Sequence, residues 1–119
     1  MSLHSFLRVS GVVFILIAIW GFLDGERVLI FHVNTAHNVV HLLSGLGLFA
    51  AGFADLPVAR VVSLVFGIVY ALVAVLGFAG VRAVVDLLHL NPADNWLHLI
   101  LALPFIALSL KPSPRVARA

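Results

Sequence analysis

Among the residues of this chain able to do chemistry, four fall into two pairs at helical spacing. His37 and His41 stand four residues apart, and so do Asp94 and His98, so each pair lies on one face of a helix. Three imidazoles and a carboxylate make a donor set for zinc, iron or copper. Taken alone, His41 and His98 could instead be the two axial ligands of a b-type haem. In that reading Gly21, Gly77, Ala18 and Ala74 give the ring a face of small residues, and Arg27, Arg82, His32 and His89 meet its propionates. A third use is structural. The imidazoles then hydrogen-bond across helices to Asn38, Asn95 and each other, for about 0.6–2 kcal/mol per bond.

The neighbouring asparagines have a local explanation. Asn91-Pro92-Ala93-Asp94 reads as an N-cap, a proline at the first helical position and an acid at the third, where it also suits the positive end of the helix dipole. Asn34 opens the equivalent stretch, with Thr35 and His37 in those places. Helices are therefore expected to start at Thr35 and Pro92. On a helical wheel Asn34, His37, Asn38, His41, Gly45, Leu48 and Gly52 share one side. His41 and His98 each lie seven residues past the cap, which is roughly 10 Å along the axis.

The elements that must carry these residues are membrane helices. Of 119 residues 63% are hydrophobic and 10% charged, against roughly 25% charged in ordinary soluble domains. Mean hydropathy is +1.19. Such a chain cannot cover a water-soluble globule, which excludes a soluble enzyme or a nucleic-acid binder, and the net charge of +2 gives no reason to invoke nucleic acid. The chain has no cysteine, so disulfides, thiolate metal sites and cysteine nucleophiles are excluded. Apolar stretches at 6–23, 35–54, 58–80 and 95–110 approach the length of about 20 residues that a hydrocarbon core demands. Between the second and third, Asp55-Leu56-Pro57 makes a tight connection. The segment 81–90, with Arg82, Asp86 and His89 at helical spacing, reads as a short interfacial helix. Trp20 and Trp96 suit an aromatic belt, and His4 an interfacial position.

Arg8, Arg60, Lys111, Arg115 and Arg118 fall on one side of these spans, and Arg27 and Arg82 on the other. The positive-inside rule then predicts cytoplasmic termini in an inner membrane. No small-x-small cleavage pattern follows the first span, so it is not read as a signal peptide. No nucleophile–base set, glycine-rich phosphate loop or metalloprotease motif is present, so no reaction is assigned.

The chain also repeats itself. Residues 11–22 match 67–78, and 32–42 match 89–99, at about half of the positions. In the second pair of blocks the identities are polar: His32 with His89, Asn34 with Asn91, Asn38 with Asn95 and His41 with His98. Two tandem copies, approximately 8–54 and 64–110, predict an all-α integral membrane four-helix bundle. It consists of two helical hairpins of parallel topology, related by an axis along the membrane normal. The whole of 1–119 is then one membrane domain with a loose basic tail at 111–119.

The blocks 34–45 and 91–99 resemble the signature of a family of small bacterial membrane proteins, filed as domain of unknown function 4383. The resemblance covers most of the chain and implies a four-helix integral membrane protein; it carries no activity, ligand or catalytic residue. Two functions stay open from the residues. One is a ligand-binding membrane protein with haem b or a transition metal at His41 and His98, joined by His37 and Asp94 and supported by Asn34, Asn38, Asn91 and Asn95. The other is an accessory membrane protein, as a homo-oligomer or in a larger complex, whose polar cluster only fixes helix register.

Overall fold

A computed structural model describes residues 1–112 of the chain. Most of the basic tail expected to be loose, including Arg115 and Arg118, lies outside the described residues. Five helices carry the fold: α1 (Leu3–Asp24), α2 (Thr35–Ala51), α3 (Leu56–Phe78), α4 (Arg82–Leu88) and α5 (Pro92–Leu110). By length and composition α1, α3 and α5 are able to cross a membrane. The second expected span is a 17-residue helix, because it stops at Ala51 and Gly52 takes its cap. One departure from an all-helical reading is a minimal antiparallel ribbon. It pairs β1 (Arg27–Val28) with β2 (Phe31–His32), and the chain reverses through Leu29 at φ 55°.

Each long helix begins where a side chain can accept an otherwise unpaired backbone N–H. Ser2 caps α1, Asn34 caps α2, Asp55 caps α3 and Asn91 caps α5. The last is reciprocal. Asn91 Oδ1 accepts from the Asp94 amide at 2.8 Å, and Asp94 Oδ2 accepts from the Asn91 amide at 2.9 Å. The helix α4 ends on His89 in the left-handed conformation, φ 55°, and turns the chain into α5.

The helices α1 and α2 pack along each other, as do α3 and α5, and lighter contacts of α3 with α1 and α2 join the two pairs. The loops at the asparagine-capped end cross over: β2 lies on α5, and α4 lies on α2. The asparagine caps tie this crossing down. Asn34 Nδ2 donates to the Leu87 carbonyl and Asn91 Nδ2 to the Ile30 carbonyl, both at 2.9 Å. Each cap therefore starts its own helix with its oxygen and holds the other pair's loop with its nitrogen. Asn91→Ala removes both contacts and is expected to cost on the order of 1–2 kcal/mol by thermal unfolding in detergent. An unchanged melting temperature would refute this double role.

Burial is inverted relative to a soluble bundle. Leu16, Leu23, Leu43, Leu72, Ile100 and Leu103 are exposed, whereas His37, Asn38, His41, Ser63, Asp94, Asn95 and His98 are buried. Such a surface matches a hydrocarbon solvent, and the polar interior needs its partners inside the protein. At the end away from the asparagine caps the ties are polar too. His4 Nε2 donates to the Ala54 carbonyl at 2.8 Å, and Ser63 Oγ to the Phe105 carbonyl at 2.7 Å.

Candidate metal centre

The helices α2 and α5 start at the same end of the molecule and turn their polar faces toward each other. Within their first two turns they bring together His37, His41 and His98, at 2%, 7% and 3% exposure. One nitrogen from each imidazole can be chosen so that all three lie within 4.8 Å of one another. His37 Nε2 and His41 Nε2 are 3.1 Å apart. The His37 and His98 ring centroids are 5.8 Å apart. Phe14 stands edge-on to His41, and Tyr70 packs tilted against His98, so apolar rings shield the cluster from two sides.

The hydrogen bonding fixes one tautomer. His37 Nδ1 lies 2.9 Å from the Leu88 carbonyl, and a carbonyl oxygen only accepts. His37 therefore carries its proton on Nδ1, and its Nε2 lone pair, turned into the cluster, accepts from His41 Nε2–H, a proton that a metal ion would have to displace. Metal-ligating histidines are typically held in this way, by a backbone carbonyl on the nitrogen away from the ion. His41 Nδ1 and His98 Nδ1 are buried without a partner, which is costly for a group that water would otherwise satisfy.

Two groups read from the sequence as part of this site stand elsewhere in it. Asp94 lines the same cleft as the three histidines, but its carboxylate is engaged in the capping box with Asn91, and the compact donor set consists of the histidines alone. Asn38 and Asn95 make no hydrogen bond to an imidazole. Their carboxamides fill the hollows beside Gly21 and Gly77, where a Cβ would overlap Asn38 Oδ1 and Asn95 Oδ1. The face of small residues that a haem ring requires is therefore occupied by asparagine. Neither Gly21→Ala nor Gly77→Ala can be accommodated unless these side chains move. Each is expected to destabilise the fold by about 1–3 kcal/mol, read by unfolding in detergent; full stability in both variants would show the hollows to be dispensable.

At the rim of the asparagine-capped end His32 and His89 stack, with centroids 5.2 Å apart. With Asp24, Glu26 and Arg27 they line an open polar cleft of about 520 Å³; Arg82 is not part of that lining. Sequence reasoning missed the contributions of Tyr70, Phe14 and Leu88. Tyr70 was within reach, since it is the polar residue at the position where the first repeat has Phe14. Leu88 acts through its carbonyl, which no side-chain pattern encodes.

The family described as Domain of unknown function (DUF4383) matches residues 4–110. The chain belongs to the DUF4383 family. No curated protein and no solved structure matches it. The DUF4383 match spans both polar blocks and every histidine named above, so the cluster falls within the family's own extent and not in an appended segment.

Proposed function

We propose that this DUF4383 protein is a four-span inner-membrane protein that holds one divalent transition-metal ion, of the zinc class, on His37, His41 and His98. In this reading α2 crosses the bilayer with α1, α3 and α5. The two helix pairs are related by an axis along the membrane normal, both termini face the cytoplasm, and the metal lies toward the outer end. The observation that carries the reading is the His37 ring, whose Nε2 lone pair is held toward two further imidazoles by the Leu88 carbonyl.

Tetrahedral coordination with metal–nitrogen bonds of about 2.0–2.1 Å places ligand nitrogens roughly 3.3 Å apart. A spread of at most 4.8 Å closes to this by small side-chain rotations. Three neutral histidines are a donor set found in catalytic zinc sites, which keep a fourth position open. A purely structural role would have His41 and His98 bonded to Asn38, Asn95 or Asp94, and their Nδ1 atoms have no such partner. Haem is disfavoured by the filled hollows at Gly21 and Gly77.

Cobalt(II) tests the proposal, because in a tetrahedral site it absorbs visible light. Titration of the purified metal-free protein is expected to give a visible band that saturates at one ion per chain and is displaced by zinc. It should weaken as pH falls, since protons compete for the imidazole lone pairs. A titration with no saturable band would overturn the proposal.

A further inference from the structure

Two clefts flank the histidine cluster. The larger, about 210 Å³, lies between α1 and α5, with Phe14, Ile17, Leu97 and Leu101 on its walls and His41 and His98 at its floor. The smaller, about 60 Å³, lies between α2 and α3 and reaches the same two histidines. Its walls carry Tyr70, Val73, Val40 and Ser44, which are the repeat counterparts of those four residues in the same order. The clefts thus occupy equivalent places and differ in what closes them. Across the smaller one the Tyr70 hydroxyl reaches Ser44 Oγ at 3.4 Å, and Leu88 adds a cover. Phe14 and Leu101 have no polar group with which to do the same, and the larger cleft stays open.

Its opening faces sideways. The ribbon roofs the outer end with Val28, and Val33 just after it adds to the roof; both are buried. Val13 and Trp20, which also line the cleft, are about half exposed on the lipid-facing surface of α1. A molecule that enters here comes from the bilayer, passes apolar walls and ends at imidazoles. It needs an apolar chain and a single polar head.

The charge of the site selects the head, an argument that rests on the proposed metal. Three neutral imidazoles leave a divalent ion with its full charge. Asp94, held by its capping box against the same cleft, supplies one negative charge. One more neutralises the site at a depth where unbalanced charge is costly, and the open coordination position is the place for it. We propose that the α1–α5 cleft is a lateral binding site for a long-chain carboxylate. A carboxylate oxygen takes the open position on the ion, and the acyl chain runs past Leu97, Phe14 and Ile17 into the bilayer.

The test uses a palmitic acid carrying a diazirine in mid-chain, added to the protein in phosphatidylcholine vesicles with and without zinc; labelled peptides are mapped by mass spectrometry. Labelling is expected on 13–20 and 97–101, only with zinc. Leu97→Trp, which fills the cleft, should lower it on the order of tenfold while zinc is retained, and Val40→Trp, at the equivalent place in the closed cleft, should leave it unchanged. If the wild type holds zinc but labels equally without it, or if Leu97→Trp labels like the wild type, the carboxylate site falls and the metal reading stands. Equal labelling by the corresponding diazirine alcohol also overturns the carboxylate assignment. A wild type that retains no zinc removes the metal, and this site with it.

Discussion

His98→Ala is expected to lower cobalt and zinc affinity by more than about 100-fold while the fold is retained. His98 is the one imidazole in the cluster that α5 contributes, so its loss leaves two ligands from a single helix. Removal of a group that only orients a ligand already costs about 10–100-fold in metal affinity; removal of a ligand costs more. The fold is expected to survive because the α3–α5 packing runs the length of both helices and this side chain is one contact of many. Its ring contacts are with Tyr70 and His37. His41→Ala should behave similarly. Asp94→Asn should weaken binding much less, because Asp94 acts through charge and through the helix cap rather than as a donor. Cobalt titrations of the three variants, with melting temperatures alongside, check the order. Wild-type affinity in His98→Ala would remove His98 from the site.

How far the sequence reaches into this site depends on the range of the interaction concerned. The helix starts at Thr35 and Pro92 were legible because a cap is a local bond between residues three apart, and Asn91-Pro92-Ala93-Asp94 spells one out. The grouping of His37, His41 and His98 was legible through helical spacing together with the energetic demand that buried imidazoles face the interior. Asp94 was read both as part of a cap and as a candidate ligand, and its carboxylate does make the capping bond. Its spacing to His98 fits a ligand as well as its spacing to Asn91 fits a cap, so spacing alone could not choose between the two. Asn38 and Asn95 were expected to orient imidazoles, and instead fill hollows on the facing helix. That fit depends on the rotation of α1 against α2 and of α3 against α5, which no local pattern encodes. The ribbon over the larger cleft was missed for another reason: Val28-Leu29-Ile30-Phe31 has neither a glycine nor an asparagine to mark a turn, and the reversal falls on Leu29 with positive φ.

The rotation of the helix pairs is set by glycines, and Gly45→Ala is expected to be among the most destabilising small substitutions in the molecule. The helices α1 and α2 cross with backbone against backbone. A Cβ on Gly45 would lie 2.8 Å from the Gly11 carbonyl oxygen and 2.9 Å from the Ile15 nitrogen. A Cβ on Gly11 would lie 2.6 Å from the Phe49 nitrogen and 2.7 Å from the Gly45 carbonyl oxygen. No side-chain rotation relieves a clash with main chain, so the helices must separate and lose the van der Waals contact that holds bare helices together in lipid. The expected cost is about 3 kcal/mol, the upper part of the range for overpacking. In the second pair the place equivalent to Gly45 is held by Ala102, and the helices already stand slightly farther apart there. A Cβ on Gly67 would lie 2.5 Å from Ile106 Cγ1, but 3.1 Å from the nearest main-chain atom, the Ile106 nitrogen, and 3.2 Å from the Ala102 carbonyl oxygen. Gly67→Ala should therefore cost less than Gly11→Ala. Gly47, two residues on and so on the opposite side of α2, has nothing within 4 Å of its would-be Cβ, and Gly47→Ala should be neutral or stabilising by up to about 1 kcal/mol through helix propensity. Unfolding of the four variants in a detergent titration should give that order. Equal stability of Gly45→Ala and Gly47→Ala would mean that the α1–α2 crossing is not the close one described.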